Sequence, residues 1–431
     1  MSSTHTETRA EAPTSRAPST LPDPDTLPLA QFDVADPWLH AADRAGEFLA
    51  RLRRECPVHY CASSRYGPYW SITRYQDIVT VNADDERVSC SYELGGHVLG
   101  YDEMFRAHGV DARMFQSTDP PLHTAQRKAI APIVARGSVR EMADAIRERA
   151  AALLDALPIG ETFDWVDRVS IELTTQVLAT LFDFPWEQRR ALTRWSDVAV
   201  TEPGFGIVDS WDARRAELEQ CFTTFAGLWQ ERLAGPPRGD LLSLMVHSEG
   251  TKHLSPAEFL GNLINIIVGG NDTTRNSLTG GVVALDRHPE QYARLRENPT
   301  LVSSMVPEII RWQTPISHMA RTAIADFELG GATIRKGDRI ALWYLSGNRD
   351  ESEIPDPEAF IIDRPQPRRH LSFGFGTHHC VGYRLAELQL QIAWEEILKR
   401  FRRIEVVGPA QRVCSNIIHG YSALPVRVQP W

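Results

Sequence analysis

The chain predicts a mostly α fold with a minor β portion, organised as one domain. Three observations carry that prediction. Most segments between residues 119 and 259 have helical period. Strand-like runs are short and confined to residues 58–73 and 327–343. Ser255-Pro256-Ala257-Glu258 is a capping-box start with proline at the first helical position, and the helix it opens is apolar on most faces, as a core helix is. With 431 residues, 42% hydrophobic and 24% charged, the chain has the make-up of a globular protein able to bury a large core.

Taken in order, residues 1–32 read as a disordered tail, with prolines at 13, 18, 22, 24 and 28 and little to bury. Residues 33–431 read as one domain, because neither a repeat nor a linker follows. Residues 42–55 are helical in period, and β-like runs follow at Val58-His59-Tyr60 and Tyr69-Trp70-Ser71-Ile72-Thr73. Turns at Leu157-Pro158-Ile159-Gly160 and Gly235-Pro236-Pro237 punctuate the helical region. Strand signals return around the turn Arg335-Lys336-Gly337-Asp338. Ala386, Leu390, Ala393, Ile397 and Phe401 then mark one face of a C-terminal helix.

A formal charge of −10 and a pI near 5.8 argue against a nucleic-acid partner. No apolar run reaches the roughly 18 residues of a membrane span. Residues 1–30 lack the apolar centre of a signal peptide. The six cysteines (56, 61, 90, 221, 380, 414) show no CxxC or framework spacing, so reduced thiols and a cytoplasmic location are expected.

The helix opened at Ser255 carries Phe259, Leu260, Leu263, Ile264, Ile266, Ile267 and Val268, then meets Gly269-Gly270-Asn271-Asp272-Thr273-Thr274. Two glycines cost roughly 1 kcal/mol each relative to alanine, and an acid in a core costs more. One reading ends the helix near residue 268. The other is a local distortion that opens a groove for a small ligand beside Asp272 and Thr273. Renewed period at Leu278, Val282 and Leu285 favours one long, interrupted helix.

The densest chemistry lies in Phe373-Gly374-Phe375-Gly376-Thr377-His378-His379-Cys380-Val381-Gly382, one cysteine in a glycine-punctuated loop that leads into a helix. Glycines at 374, 376 and 382 allow tight bends and free main-chain N–H groups to face the sulfur, as needed to hold a thiolate against iron. A zinc site is disfavoured because His378-His379-Cys380 lacks ligand spacing. A Cys–His nucleophile explains none of the other motifs. A phosphate cradle at Gly374-x-Gly376 lacks the preceding strand of a βαβ unit. The segment resembles the haem-binding loop of cytochrome P450 enzymes, Phe-Gly-x-Gly-x-His-x-Cys-x-Gly, at every defined position.

That resemblance runs from about residue 33 to 431 and implies the cytochrome P450 fold with haem b (iron protoporphyrin IX) as cofactor. It implies Cys380 as the iron ligand, with Phe373, Gly374, His378 and Gly382 around it. The 269–274 stretch is similar to the family's oxygen-binding groove, which gives Asp272 a proton-relay role and has Thr273 hydrogen-bond the oxygen. Asp119-Pro120-Pro121-Leu122-His123 reads as an N-capped helix start, and His123 and Arg127, four apart, share a face. By resemblance they grip the haem propionates, with Arg321 and His378 completing the shell. Glu308 and Arg311 resemble the family's buried Glu-x-x-Arg pair, closed by a third residue within 348–360.

Within the family, residues 161–170, 269–277 and 346–350 are similar to the bacterial medium-chain alkane terminal hydroxylases. This implies a monooxygenase that uses O2 on an apolar small molecule, hydroxylating the terminal carbon of medium-chain alkanes or fatty acids. A terpene or steroid hydroxylase is the alternative. Expected substrate contacts are Asn265, Val268, Gly269, Ser317, Met319 and Ile418, under a roof formed by residues 92–115 with Gly95-Gly96-His97 and His108-Gly109. Ile316-Ser317-His318-Met319 is expected to bring a histidine near the wall, and Asn416-Ile417-Ile418-His419 to line the far side. No flavin or nicotinamide domain fits in the chain, so the resemblance implies a 2Fe-2S ferredoxin and its ferredoxin reductase as electron donors, docking near Arg127, Lys128 and Arg384. Two rival readings are a peroxide-driven peroxygenase, disfavoured by Asp272-Thr273, and a haem sensor without turnover, disfavoured by the lack of any signalling or DNA-binding segment.

Overall fold

The fold grows around one α-helix, Pro256–Arg287, 32 residues long. The computed structural model describes residues 21–431, Asp102 by its backbone alone. The capping box forms as the sequence prescribes: the Ser255 hydroxyl accepts from the Glu258 N–H, and the Glu258 carboxylate accepts from the Ser255 N–H at 2.9 Å. Helices Glu172–Phe182, Arg190–Val200, Val302–Gln313 and Tyr383–Arg400 pack on this axis.

The interruption expected at Gly269-Gly270 does not occur, and the backbone stays helical through residues 269–274. Local bonds absorb the hydroxyls, with Thr273 donating to the Gly269 carbonyl and Ser277 to the Thr273 carbonyl, both at 2.8 Å. The ~2 kcal/mol cost of two glycines is small beside the burial of so long a helix. Further along, Gly281 permits close helix contacts: a Cβ there would meet Ile309 and Trp394 at 2.8 Å.

The β portion is a five-stranded sheet in the order Val58–Cys61, Tyr69–Ile72, Arg339–Leu342, Met319–Ala323, Val88–Ser89. Its register sets Arg321 opposite Ile340 and Met319 opposite Leu342. A three-stranded sheet joins Phe163–Asp164, Pro425–Pro430 and Phe401–Val406. The mostly α fold with a minor β portion is therefore as expected.

Two boundaries move. Residues 1–20 of the expected tail lie outside the described residues, but 21–32 are packed: Leu21, Leu27 and Leu29 rest on a core cluster containing fully buried Phe32, and Arg51 donates to the Leu27 carbonyl at 2.8 Å. The buried carboxylate of Glu308 pairs with Arg311 at 2.8 Å and with Arg364 at 2.9 Å. Arg364 is the third member of that network and lies beyond the segment expected to supply it. The chain first passes Glu308 with the Ile361 N–H, then turns back to present the guanidinium. Among the described residues no helix is long and apolar enough to cross a membrane.

Candidate active site

Three elements meet at one cavity of about 260 Å³: the middle of the axial helix, the strand Met319–Ala323, and the loop before the C-terminal helix. The helix contributes a stripe of residues at i, i+3, i+4 and i+8, namely Asn265, Val268, Gly269 and Thr273, none of them buried. The strand contributes Met319 and Arg321, two apart and hence on one face. Ile418 comes from the C-terminal loop, with Val98 and Phe115 from the roof region.

The loop owes its shape to Gly374 and Gly376, at φ +70° and +69°, a backbone region open to glycine and strained for most other residues. A Cβ on Gly376 would also press to 3.1 Å of the Asn82 carbonyl. Gly382 is different. Its φ of −89° suits any residue, and a Cβ there meets no protein atom within 4 Å, so the protein alone does not require glycine. The Cys380 N–H donates to the Phe373 carbonyl at 2.8 Å, and the sulfur accepts from the N–H groups of Gly382 and Tyr383. Burial pushes the Cys380 thiol up; those two donors and the Arg127 guanidinium oppose it.

Beside the loop lie imidazole nitrogens without hydrogen-bond partners. Both ring nitrogens of buried His123 and Nδ1 of His378 have no hydrogen-bond partner. The two rings pack with centroids 4.1 Å apart. Burial first, with neighbouring guanidiniums adding, pushes His123 to about 4 and His378 down as well, so both are neutral. Arg321 is buried and donates to the Asn82 side chain at 2.6 Å. Neither Arg321 nor Arg127 forms an ion pair with a carboxylate among the described residues. Arg321 and His378 line the cavity, and His123 sits one layer behind.

Asp272 does not face the cavity. Its carboxylate is fully buried toward the helix Arg190–Val200, accepting from the Ser196 hydroxyl at 2.9 Å and pairing with Arg275 at 2.6 Å. Arg275 pairs in turn with Asp197, which is partly exposed. Burial raises the Asp272 pKa, and Arg275 opposes that shift.

Several expectations are corrected. Ser317 is buried outside the cavity, facing His40 at 3.5 Å; it lies ahead of the strand Met319–Ala323, where Ile316, bridged to Ile418, takes the wall instead. His318 also lies behind the wall, bonded through Nδ1 to the Asn416 carbonyl at 3.1 Å. In the roof, His97 lines the cavity, but His108 stacks on Trp211 at 4.0 Å and does not. Of the three expected docking residues, Arg127 is half-buried, while Lys128 and Arg384 are exposed. Sequence reasoning missed Asn82, Cys90, Ser196, Asp197 and Arg275. Cys90 holds Nε2 of His378 at 3.2 Å, a contact 288 residues apart in the chain that no local pattern announces. Arg275 was legible at i+3 from Asp272.

Comparison with known proteins agrees with this geometry. The chain matches the cytochrome P450 family over residues 135–410. It is 35% identical over 408 residues to linalool 8-monooxygenase of Pseudomonas putida, covering 92% of this chain and 99% of that relative. The solved structure of cytochrome P450-153 from Novosphingobium aromaticivorans superposes with a TM-score of 0.86 at 44% identity, covering 92% and 99% of the two chains. A Mycobacterium marinum cytochrome P450 in complex with pseudoionone gives 0.84 at 29% identity, covering 93% and 99%.

The chain belongs to the cytochrome P450 family. It is an oxidoreductase, a monooxygenase whose cofactor is haem b. The residues present fit that cofactor: a desolvated thiol with two N–H donors, open space over Gly382, unpartnered imidazole nitrogens, and two guanidinium charges to meet two propionates.

Proposed function

We propose that this P450 hydroxylates the end of an unactivated alkyl chain, with medium-chain alkanes or fatty acids as substrates and a 2Fe-2S ferredoxin with its reductase as electron source. The observation that carries this reading is the apolar cavity directly over the Cys380 loop. Val98, Phe115, Val268, Met319 and Ile418 form its walls, and Asn265 and Thr273 add polar groups from the axial helix. Such walls bind hydrocarbon by burial and leave position to be set by shape. The 44% identity to a cytochrome P450-153 supports the alkane-hydroxylase branch.

In this reading Cys380 would ligate the iron and Phe373 would stand beside it, with Gly374 giving the loop its bend and Gly382 its clearance. His123, Arg127, Arg321 and His378 hold the propionates. The bound haem supplies activation of O2 and insertion of one oxygen atom into a C–H bond. Overall the reaction takes O2, two electrons and two protons and releases one water. Thr273 holds a hydroxyl at the cavity wall, bonded to the Gly269 carbonyl and able to turn toward the oxygen. Asp272 brings protons from the Asp197 side, and its rotation away from Arg275 passes them toward Thr273. Asn265, Val268, Gly269, Met319 and Ile418 touch the substrate. Lys128 and Arg384 offer exposed positive charge for the electron donor.

A terpene substrate is the second reading, favoured by the 35% identity to a linalool 8-monooxygenase. Titrating the haem Soret band of the holoenzyme with linear chains, linalool and a steroid, followed by product analysis, separates the two. Linear chains are expected to shift the spin state most and to yield the terminal alcohol. A stronger shift and turnover with linalool or the steroid removes the alkyl-chain reading.

A further inference from the structure

A second cavity, of about 20 Å³, adjoins the large one, and Tyr101, Val200 and Ile417 line both. Its wall carries two donors without acceptors. Arg214, in the first turn of the helix Trp211–Ala234, is 2% exposed, and its Nε–H has no hydrogen-bond partner. The Nη2 of the same guanidinium donates to the Ala199 carbonyl. Asn416, also buried, carries an Nδ2 amide with no partner. Native folds rarely leave such groups unanswered, so each calls for a ligand atom.

The charge balance says which kind. Among the described residues Arg214 forms no ion pair with a carboxylate. It is bedded on rings instead, 4.1 Å from the Phe105 centroid and 5.1 Å from that of Trp211. Burial lowers its pKa to about 10, which leaves it cationic at neutral pH. Glu202 is the carboxylate among the described lining residues, and it is already engaged by the Tyr66 hydroxyl at 2.5 Å and by Arg65 at 2.6 Å. With Glu202 so engaged, the Arg214 charge beside the substrate cavity has no carboxylate paired with it among the described residues. The space has room for a small head group and excludes a ring.

We propose that Arg214 and Asn416 receive the carboxylate of an acid-ended chain whose apolar body lies in the large cavity. This rests on the alkyl-chain reading above and narrows it to chain carboxylic acids. A carboxylate has two oxygens for two separate donors and supplies the missing charge. Water answers the donors but not the charge, and an alkane answers neither.

The test is titration of the holoenzyme Soret band with dodecanoate, dodecanol and dodecane. Wild-type protein is expected to bind dodecanoate at least about tenfold more tightly than dodecanol or dodecane. Arg214→Gln is expected to bring the acid-to-alkane ratio of affinities close to one. Asn416→Asp, which sets a competing carboxylate beside Arg214, is expected to do the same, and it serves if Arg214→Gln does not accumulate as holoenzyme. Equal wild-type affinity for acid and alcohol, or a ratio unchanged in Asn416→Asp, overturns the proposal and assigns the cavity to water. Failure of all three ligands to bind the wild type overturns the alkyl-chain reading itself, so the two failures are told apart.

Discussion

The carboxylate of Asp272 meets the guanidinium of Arg275, one turn on along the same helix, at 2.6 Å, and so points away from the cavity wall that Thr273 helps to form. Two consecutive residues therefore serve opposite sides of the axial helix. The acid reaches the partly exposed Asp197 through Arg275, and the alcohol stands at the cavity wall. On the proposed reading, this division makes proton supply and oxygen handling separable by mutation.

Asp272→Asn is expected to lower turnover by about 100-fold or more, the range lost with a general acid, while spin-state titration shows unchanged substrate affinity. A larger solvent isotope effect on turnover accompanies the loss. Equal falls in affinity and turnover would instead give Asp272 a structural role.

Thr273→Ala is expected to keep electron consumption and lose product, measured as peroxide released per alcohol formed. The substitution removes only a hydroxyl bonded within its own helix at 2.8 Å, so the fold is retained. A tightly coupled variant would move the oxygen-handling role elsewhere.

Glu308→Ala is expected to destabilise the holoenzyme by about 3–5 kcal/mol in denaturant unfolding, because it strips the carboxylate from two buried guanidiniums, Arg311 and Arg364. An exposed pair such as Arg215–Asp212 is expected to change stability by less than ~1 kcal/mol.

Acidification is expected to weaken the fold through His40 and His318, which both pack against the indole of Trp343, with ring centroids 6.0 and 4.7 Å away. Burial holds both neutral, pushing His40 to about 4 and His318 to about 3. Their folded pKa values lie below the ordinary 6.5, so the unfolded chain binds protons first as pH falls. The stability they contribute is complete above pH ~6.5 and is lost toward pH ~3–4, at up to about 1.4 kcal/mol per pH unit per group. His318→Gln should flatten that slope in unfolding measured across this window; an unchanged slope would assign acid sensitivity to other groups.

Met319→Ala is expected to enlarge the cavity and shift the preferred substrate toward bulkier or branched molecules in spin-state titrations. Ser317→Ala, two residues earlier and outside the cavity, should leave the ranking of substrates as it is.

The haem loop was legible in the sequence because its glycines and cysteine fall within ten residues, and Gly374 and Gly376 answer a local demand of the backbone. The Glu308–Arg311 pair was legible for the same reason, lying at i and i+3. What the sequence hid depends on distant chain segments or on which way a side chain turns. Ser317 and Met319 differ in exposure to the cavity only through the path of one strand entry. Arg214 looks like a surface residue of an amphipathic helix until Phe105 and Trp211 close over it. The axial helix misled in the opposite direction, since a local glycine penalty suggested a break that long-range packing overrides.

Met319 and Arg321 are neighbours on one face of a single short strand, held against Leu342 and Ile340. On the proposed reading, the same few residues of backbone thus fix the substrate wall and an anchor for the porphyrin. Sliding the strand to remodel specificity would unseat the prosthetic group, so diversification at this wall is channelled into exchanging side chains on a fixed rail.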